Sequence, residues 1–208
     1  MIFLKKKNHI FKRRFLAYII DFTILGVLVS LTLLFTKVDT SSVEYEMSNL
    51  AELLLTENIN ISTYIKNYRK LFYKYDIIQF ITNLINFLYI IILFIIIPGF
   101  TRGQTIGKKI MKIRIVNDDN TSVSIINLIK RALLIDFLGY LLITLIIINF
   151  ISGFPYFIIA TILGILQFSL VIVSSFMILY NKKQKGIHDI LTKTKIRVIE
   201  WENLLNKN

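Results

Sequence analysis

Four long apolar stretches set the pattern of this chain: Phe15 to Phe35, Ile77 to Ile97, Ala132 to Ser152 and Tyr156 to Tyr180. A helix rises ~1.5 Å per residue and a bilayer's hydrocarbon core is ~30 Å thick, so about twenty residues suffice to cross it. Each stretch reaches that length. The pattern predicts an all-α membrane protein, one domain over 1–208, with four transmembrane helices in a bundle at about 15–35, 77–97, 132–152 and 156–180. The first stretch is too long for the apolar core of a signal peptide, and no small-x-small cleavage site precedes Thr36-Lys37, so it is expected to be a retained helix.

Shorter periodicities fill the connections. In the 36–76 loop Val43, Met47, Leu50 and Leu54 recur at helical spacing, and Ser41 with Glu44 fits a capping box. Tyr64, Tyr68, Phe72 and Tyr75 form an aromatic stripe on a helix expected to start near Ser62 and run into the second span, its rings anchoring at the outer interface. Gly153-Phe154-Pro155 predicts a tight turn that makes an antiparallel hairpin of the last two spans. Lys112 to Val116 and Lys195 to Ile199 each alternate polar with apolar residues, which predicts two short strands pairing with each other, and Ser122 or Ser124 is placed to cap a helix entering the third span.

Charge decides orientation. Twenty Lys and Arg fall in 1–14, 98–131 and 181–208, against five in the 36–76 loop, where six acids offset them. The positive-inside rule then puts both termini, the 98–131 loop and the 181–208 tail in the cytoplasm, and the 36–76 helical loop outside. The same distribution accounts for most of the net charge of +12 without any nucleic acid. It favours anionic lipid headgroups at the cytoplasmic face of the bilayer. With 55% hydrophobic and 18% charged residues, neither a soluble domain nor a disordered chain is expected. The absence of cysteine removes disulfide scaffolds and Cys-based zinc sites.

Arg14-Phe15-Leu16-Ala17-Tyr18-Ile19-Ile20-Asp21 resembles the opening of the RDD family of bacterial membrane proteins. Gly103-Gln104-Thr105-Ile106-Gly107-Lys108-Lys109, followed by Lys112 to Val116, is similar to the family's cytoplasmic segment. Gly186-Ile187-His188-Asp189-Ile190-Leu191-Thr192-Lys193-Thr194 is similar to its closing motif. The resemblance carries the family arginine to Arg14, with Arg13 as the competing position, and its two aspartates to Asp21 and Asp189. It implies a multi-pass protein of a bacterial cell membrane, described as a transporter, with cation–proton exchange among the proposed activities. Members often have a shorter external loop than this chain.

The residues themselves point the same way. Asp21 lies within the first apolar stretch, seven positions after Arg14 and on the same helix face, ~10 Å along the axis. A charged residue at mid-span costs roughly 2.5–3.5 kcal/mol on insertion scales, so it should face protein or water. Either it titrates, with Arg14 as counter-charge, or it pairs with an arginine and fixes helix register. Asp136, five positions after Arg131, repeats the arrangement, with pairing favoured. Gln79, Asn83 and Asn86 share a face of the second span, Tyr140 and Thr144 line up with Asp136 on the third, and Gln167 and Ser174 share a face of the fourth. These form a polar track or, more simply, interhelical hydrogen bonds. Asp189 is expected to cap a helix or pair with Arg102, Lys108 or Arg114.

Catalysis is not expected. His9 and His188 lack any metal-ligand spacing, Gly103 to Lys109 fails the phosphate-loop count, and no nucleophile elbow is present. No cofactor or metal is implied. Two functions remain: a small transporter for a monovalent cation and protons, too few in helices to act outside a homo-oligomer, or a non-transporting accessory, immunity or scaffold protein that binds membrane-protein partners.

Overall fold

The structure is a computed structural model that describes residues 2–199, with side chains from Ile10 onward. The His9 side chain and residues 200–208 of the tail lie outside the described residues. Helix α1 (Ile2–Thr36) contains the first apolar stretch. Asp39 then accepts the Ser41 amide at 2.9 Å and the Ser41 hydroxyl at 2.5 Å, opening α2 (Ser41–Leu55). The hydroxyl that reaches Glu44 is that of Thr40, at 2.6 Å, so the expected Ser41–Glu44 capping box does not form. Val43 and Leu50 are the buried positions of α2. Asn60 caps α3 (Ile61–Ile78) through the Thr63 amide at 2.8 Å.

Only Gln79 separates α3 from α4 (Phe80–Ile91), and backbone bonds from Gln79 to Tyr75 and from Asn83 to Gln79 carry the helical ladder across. A π-helical turn, Ile92–Ile96, leads into α5 (Ile97–Phe100). Pro98 supplies no amide to the carbonyl of Phe94, and the widened turn sits directly before it. Then follow α6 (Ile106–Ile110), β1 (Ile113–Asn117), α7 (Ile125–Ile135), α8 (Leu138–Ile147), α9 (Gly153–Tyr180), α10 (Ile187–Leu191) and β2 (Thr194–Val198). Ser124 caps α7, accepting the Asn127 amide at 3.3 Å. The two strands pair antiparallel, Ile113 opposite Val198 and Asn117 opposite Thr194.

Among the described residues three helices are long and apolar enough to cross a membrane: Ile10–Thr36, Phe80–Phe100 and Gly153–Tyr180. Their apolar side chains are mostly exposed, among them Phe15, Val27, Leu34, Ile165 and Phe176, an arrangement that water would penalise and acyl chains would not. The third apolar stretch departs from expectation. It is not one helix: α7 ends at Ile135, Phe137 adopts a φ of +61°, and only the ten residues of α8 continue beyond. A left-handed phenylalanine is a steric outlier, held here by surrounding structure. The turn between α8 and α9 occupies 148–152, so Gly153-Phe154-Pro155 forms the first turn of α9 and not the connection.

The chain divides into two compact units. The first comprises residues 1–28, 88–139 and 166–208, and in it Ala17, Ile113 and Val198 bury together, with Ile10, Met111 and Ile196 against them. The strand pair thereby packs on α1. The second comprises 29–87 and 140–165, with Ile148, Tyr156 and Ala160 at its centre. The aromatic stripe of α3 belongs there: Phe72 meets Phe157 edge-on at 5.5 Å and Tyr73 meets Tyr156 at 5.3 Å. Those rings pack on α9.

Candidate functional site

Within the first unit, Asp189 is the centre of an ion cluster and is fully buried. Gly186 precedes α10, and its amide donates to Asp189 Oδ2 at 3.0 Å, so the carboxylate caps its own helix. Arg14 Nη2 donates to the same oxygen at 2.6 Å, while Arg14 Nη1 donates to the Gln184 carbonyl at 2.9 Å. Arg131 Nη1 donates to Asp189 Oδ1 at 2.5 Å and to Thr194 Oγ1 at 2.6 Å. His188 Nε2 lies 3.3 Å from both Asp189 Oδ1 and Arg14 Nη2, and its Nδ1 lies 2.6 Å from Ser174 Oγ on α9. One carboxylate thus faces two guanidiniums: Arg14 spreads its two Nη atoms over Gln184 and Asp189, whereas Arg131 makes both contacts through Nη1.

Electrostatics follow from burial. Desolvation alone would raise the Asp189 carboxyl, but Arg14 and Arg131 overcome it and hold the group well below the ordinary range. Burial pushes His188 down to about 4, against the pull of Asp189. The imidazole is therefore neutral in the folded state where the unfolded chain would protonate it. As pH falls from 6.5 towards 4 the unfolded state binds more protons, so stability should fall by about 3 kcal/mol at most from this group. His188→Gln is expected to flatten melting temperature against pH over that window. A parallel slope in the variant would show that other groups set it.

Asp21 is held by the Gly103–Lys109 segment. The Thr105 hydroxyl donates to its Oδ2 at 2.5 Å, the Gly107 amide to Oδ1 at 2.7 Å, and Lys108 Nζ stands 4.0 Å from Oδ2. Burial lowers the Lys108 ammonium, and Asp21 and Asp136 oppose that shift. Close approach of this segment to α1 needs a residue without a side chain: a Cβ on Gly107 would overlap the Ala17 carbonyl oxygen. Gly107→Ala should therefore cost about 1–3 kcal/mol by overpacking. Thermal unfolding in detergent, compared with Gly99→Ala, whose Cβ would meet only Ile125 at 3.7 Å, checks this.

Asp136 differs from both acids. It ends α7 at the broken stretch, where its amide donates to the Ala132 carbonyl at 3.1 Å, is 8% exposed, and its carboxylate makes no hydrogen bond with any described residue. It lines a cavity of about 350 Å³ together with Arg14, Tyr18, Thr105, Lys108 and Arg131, whose remaining walls are largely aliphatic and aromatic. Gln167 serves the same break, donating to the Leu134 carbonyl at 2.7 Å.

These contacts join three segments far apart in the chain: the end of α1 that carries Arg14 and Asp21, the loop around Gly107, and the turn at Gly186 to Asp189. The sequence profile of the RDD family matches residues 10–193 and so covers all three. The chain belongs to the RDD family. No curated protein and no solved structure matches it.

In this RDD chain Arg14 pairs with Asp189, while Arg13 donates to the Met111 carbonyl at 3.3 Å. Two expectations are corrected here. Arg14 is not the counter-charge of Asp21, because Asp189 occupies it. Asp189 caps α10 as expected, but its ion partners are Arg14 and Arg131, and not Arg102, Lys108 or Arg114, because α10 turns its carboxylate inward between α1 and α7. Arg131 is thereby withdrawn from direct pairing with Asp136. The sequence reading placed Arg131 with Asp136 and offered Lys108 to Asp189, and it gave Thr105 and Thr194 no role of their own. The adjacent histidine and aspartate do share contacts, although neighbouring residues seldom do.

The amides and hydroxyls do not stay together. Ser174 joins His188 and Gln167 the helix break. In the second unit Gln79, Asn83, Tyr140 and Thr144 line a separate cavity of about 180 Å³ with two residues not selected from the sequence, Asp76 and Tyr156. Thr144 bonds back to the Tyr140 and Leu141 carbonyls of its own helix. The Asn86 side-chain oxygen Oδ1 is buried and has no hydrogen-bond partner among the described residues.

Proposed function

We propose that this RDD chain is a multi-pass transporter that exchanges a cation for protons, with Asp136 as the exchanging carboxylate. One observation carries the reading. Of the three buried acids Asp21, Asp136 and Asp189, the first and last are held by fixed donors, and Asp136 alone lines the 350 Å³ cavity, its carboxylate without a hydrogen bond to any described residue. Asp21 and Asp189 would have to break a hydroxyl, amide or guanidinium contact to release charge. Asp136 would break none. Its place at an interrupted helix supports the same assignment, since irregular backbone at membrane depth is tolerated where it lines a cavity and often marks the ion site of a transporter. Arg131 and Lys108 are near enough to bias which ion Asp136 holds.

In this reading the broken α7–α8 stretch supplies a fourth crossing, both termini and the ion cluster lie on the cytoplasmic side of a bacterial cell membrane, and the basic loops meet anionic headgroups. No catalytic residue is assigned. Ser174, His188 and Asp189 adjoin one another, but the depressed imidazole is a poor base at neutral pH and Ser174 is sealed from solvent. Purified protein in liposomes should take up Na⁺ or K⁺ when an opposing pH gradient is imposed. Uptake no faster than in protein-free liposomes would overturn the proposal.

A further inference from the structure

The smaller cavity holds a carboxylate that none of the foregoing uses. Asp76 sits at the end of α3 and accepts a hydrogen bond from the Tyr156 hydroxyl at 2.6 Å. Around it stand Gln79, Asn83 and Tyr140. The Gln79 amide nitrogen only reaches the Tyr75 hydroxyl at 3.5 Å, and no hydrogen bond with a described residue engages the Asn83 side chain or the Tyr140 hydroxyl. Polar groups turned into a cavity with bonding capacity unused are expensive unless something there takes it up.

Charge decides what that is. No Lys, Arg or His lines the cavity among the described residues. Of the four cations of the same helix, Lys74 pairs with Glu46 at 3.3 Å and Arg69 lies over the Phe154 ring at 4.9 Å, and neither Lys66 nor Lys70 lines the cavity. An anion would meet Asp76 with nothing to offset it. Divalent ions favour several carboxylates or a shell of retained waters, and no group of three or more His, Asp or Glu able to hold a metal ion exists among the described residues. One carboxylate balances a single positive charge, and the side-chain oxygens of Gln79, Asn83, Tyr140 and Tyr156 can complete its coordination.

We propose that Asp76, Gln79, Asn83, Tyr140 and Tyr156 form a binding site for one monovalent cation. This deepens the exchange reading by giving the chain a second carboxylate site, outside the Arg14–Asp189 cluster and lined by different residues. An alkali ion and a small primary ammonium share the required chemistry.

The test reads binding and not flux. Melting of the purified protein in detergent is followed against NaCl, KCl or methylammonium chloride, with N-methylglucamine chloride holding ionic strength constant. Measured in the Asp136→Asn background, so that the exchanging carboxylate does not contribute, a saturable rise with at least one of the three is expected, identifying the alkali or ammonium source, and adding Asp76→Asn should abolish it. Asparagine can still accept the Tyr156 hydroxyl, so the fold should survive. Should it not, Gln79→Leu serves instead, with the half-saturating concentration raised about tenfold or more. Equal responses to all four salts, or parent-like curves in the variant, would overturn the proposal. Liposomes that fail to transport while the rise persists would therefore count against exchange and not against this site.

Discussion

Asp189→Asn should destabilise the protein by about 3–5 kcal/mol, the usual cost of removing one partner from a buried ion pair. The reason lies in what remains. Asparagine offers one acceptor where Arg14, Arg131 and the Gly186 amide all converge, and it aims an amide donor at a guanidinium. Two cations are then left in a space closed to water, with the α10 cap weakened. For a chain of this size the melting temperature should fall by about 10 °C or more. Arg14→Lys should fall by less, because an ammonium keeps the charge but cannot bond the Gln184 carbonyl and Asp189 together. Unchanged melting of Asp189→Asn would mean that the cluster does not hold the first unit together.

Asp136→Asn has the opposite expected profile: transport lost, fold kept. The side chains are nearly isosteric, and no hydrogen bond of the carboxylate is removed because none is made. Loss of a buried charge should leave melting unchanged or raise it slightly. Cation uptake should drop to the level of protein-free liposomes. Asp21→Asn makes the contrast, since it disturbs the Thr105 and Gly107 donors; its melting temperature should fall, with uptake per folded molecule retained. If Asp21→Asn abolishes uptake at full folding while Asp136→Asn transports normally, the exchanging group has been misassigned. If neither changes, an accessory role without transport becomes the better description.

Much of the architecture is legible in the sequence, and the reasons differ by element. The strand pair is announced by alternation in Lys112 to Val116 and Lys195 to Ile199, because one face of each strand must bury on α1. Ser124 is legible because a short acceptor before an apolar run has little else to do. The break at Asp136-Phe137 is not legible: its neighbours continue the apolar run, and a bulky residue at positive φ leaves no local signal. Ion partners fail for a related reason. Asp189 finds Arg14 from 175 positions away, and helical spacing only measures distance along one helix. Asp76 was hidden by its address, counted among the six acids of a loop, although its helix carries it beside Tyr156. Family resemblance pointed to Arg14, Asp21 and Asp189, but not to who binds whom.

Synthesis runs from one end, and the Arg14–Asp189–Arg131 contact is closed by a late segment. Both arginines leave the ribosome long before their common acid exists, and Arg14 waits through the assembly of every apolar helix. Until the stretch from Gly186 to Val198 arrives, the newborn chain carries two unmet cations beside lipid, which is the kind of blemish that membrane quality control detects. A premature stop shortly before Gly186 would remove few residues and leave every apolar helix in place, yet it should yield a protein marked for degradation.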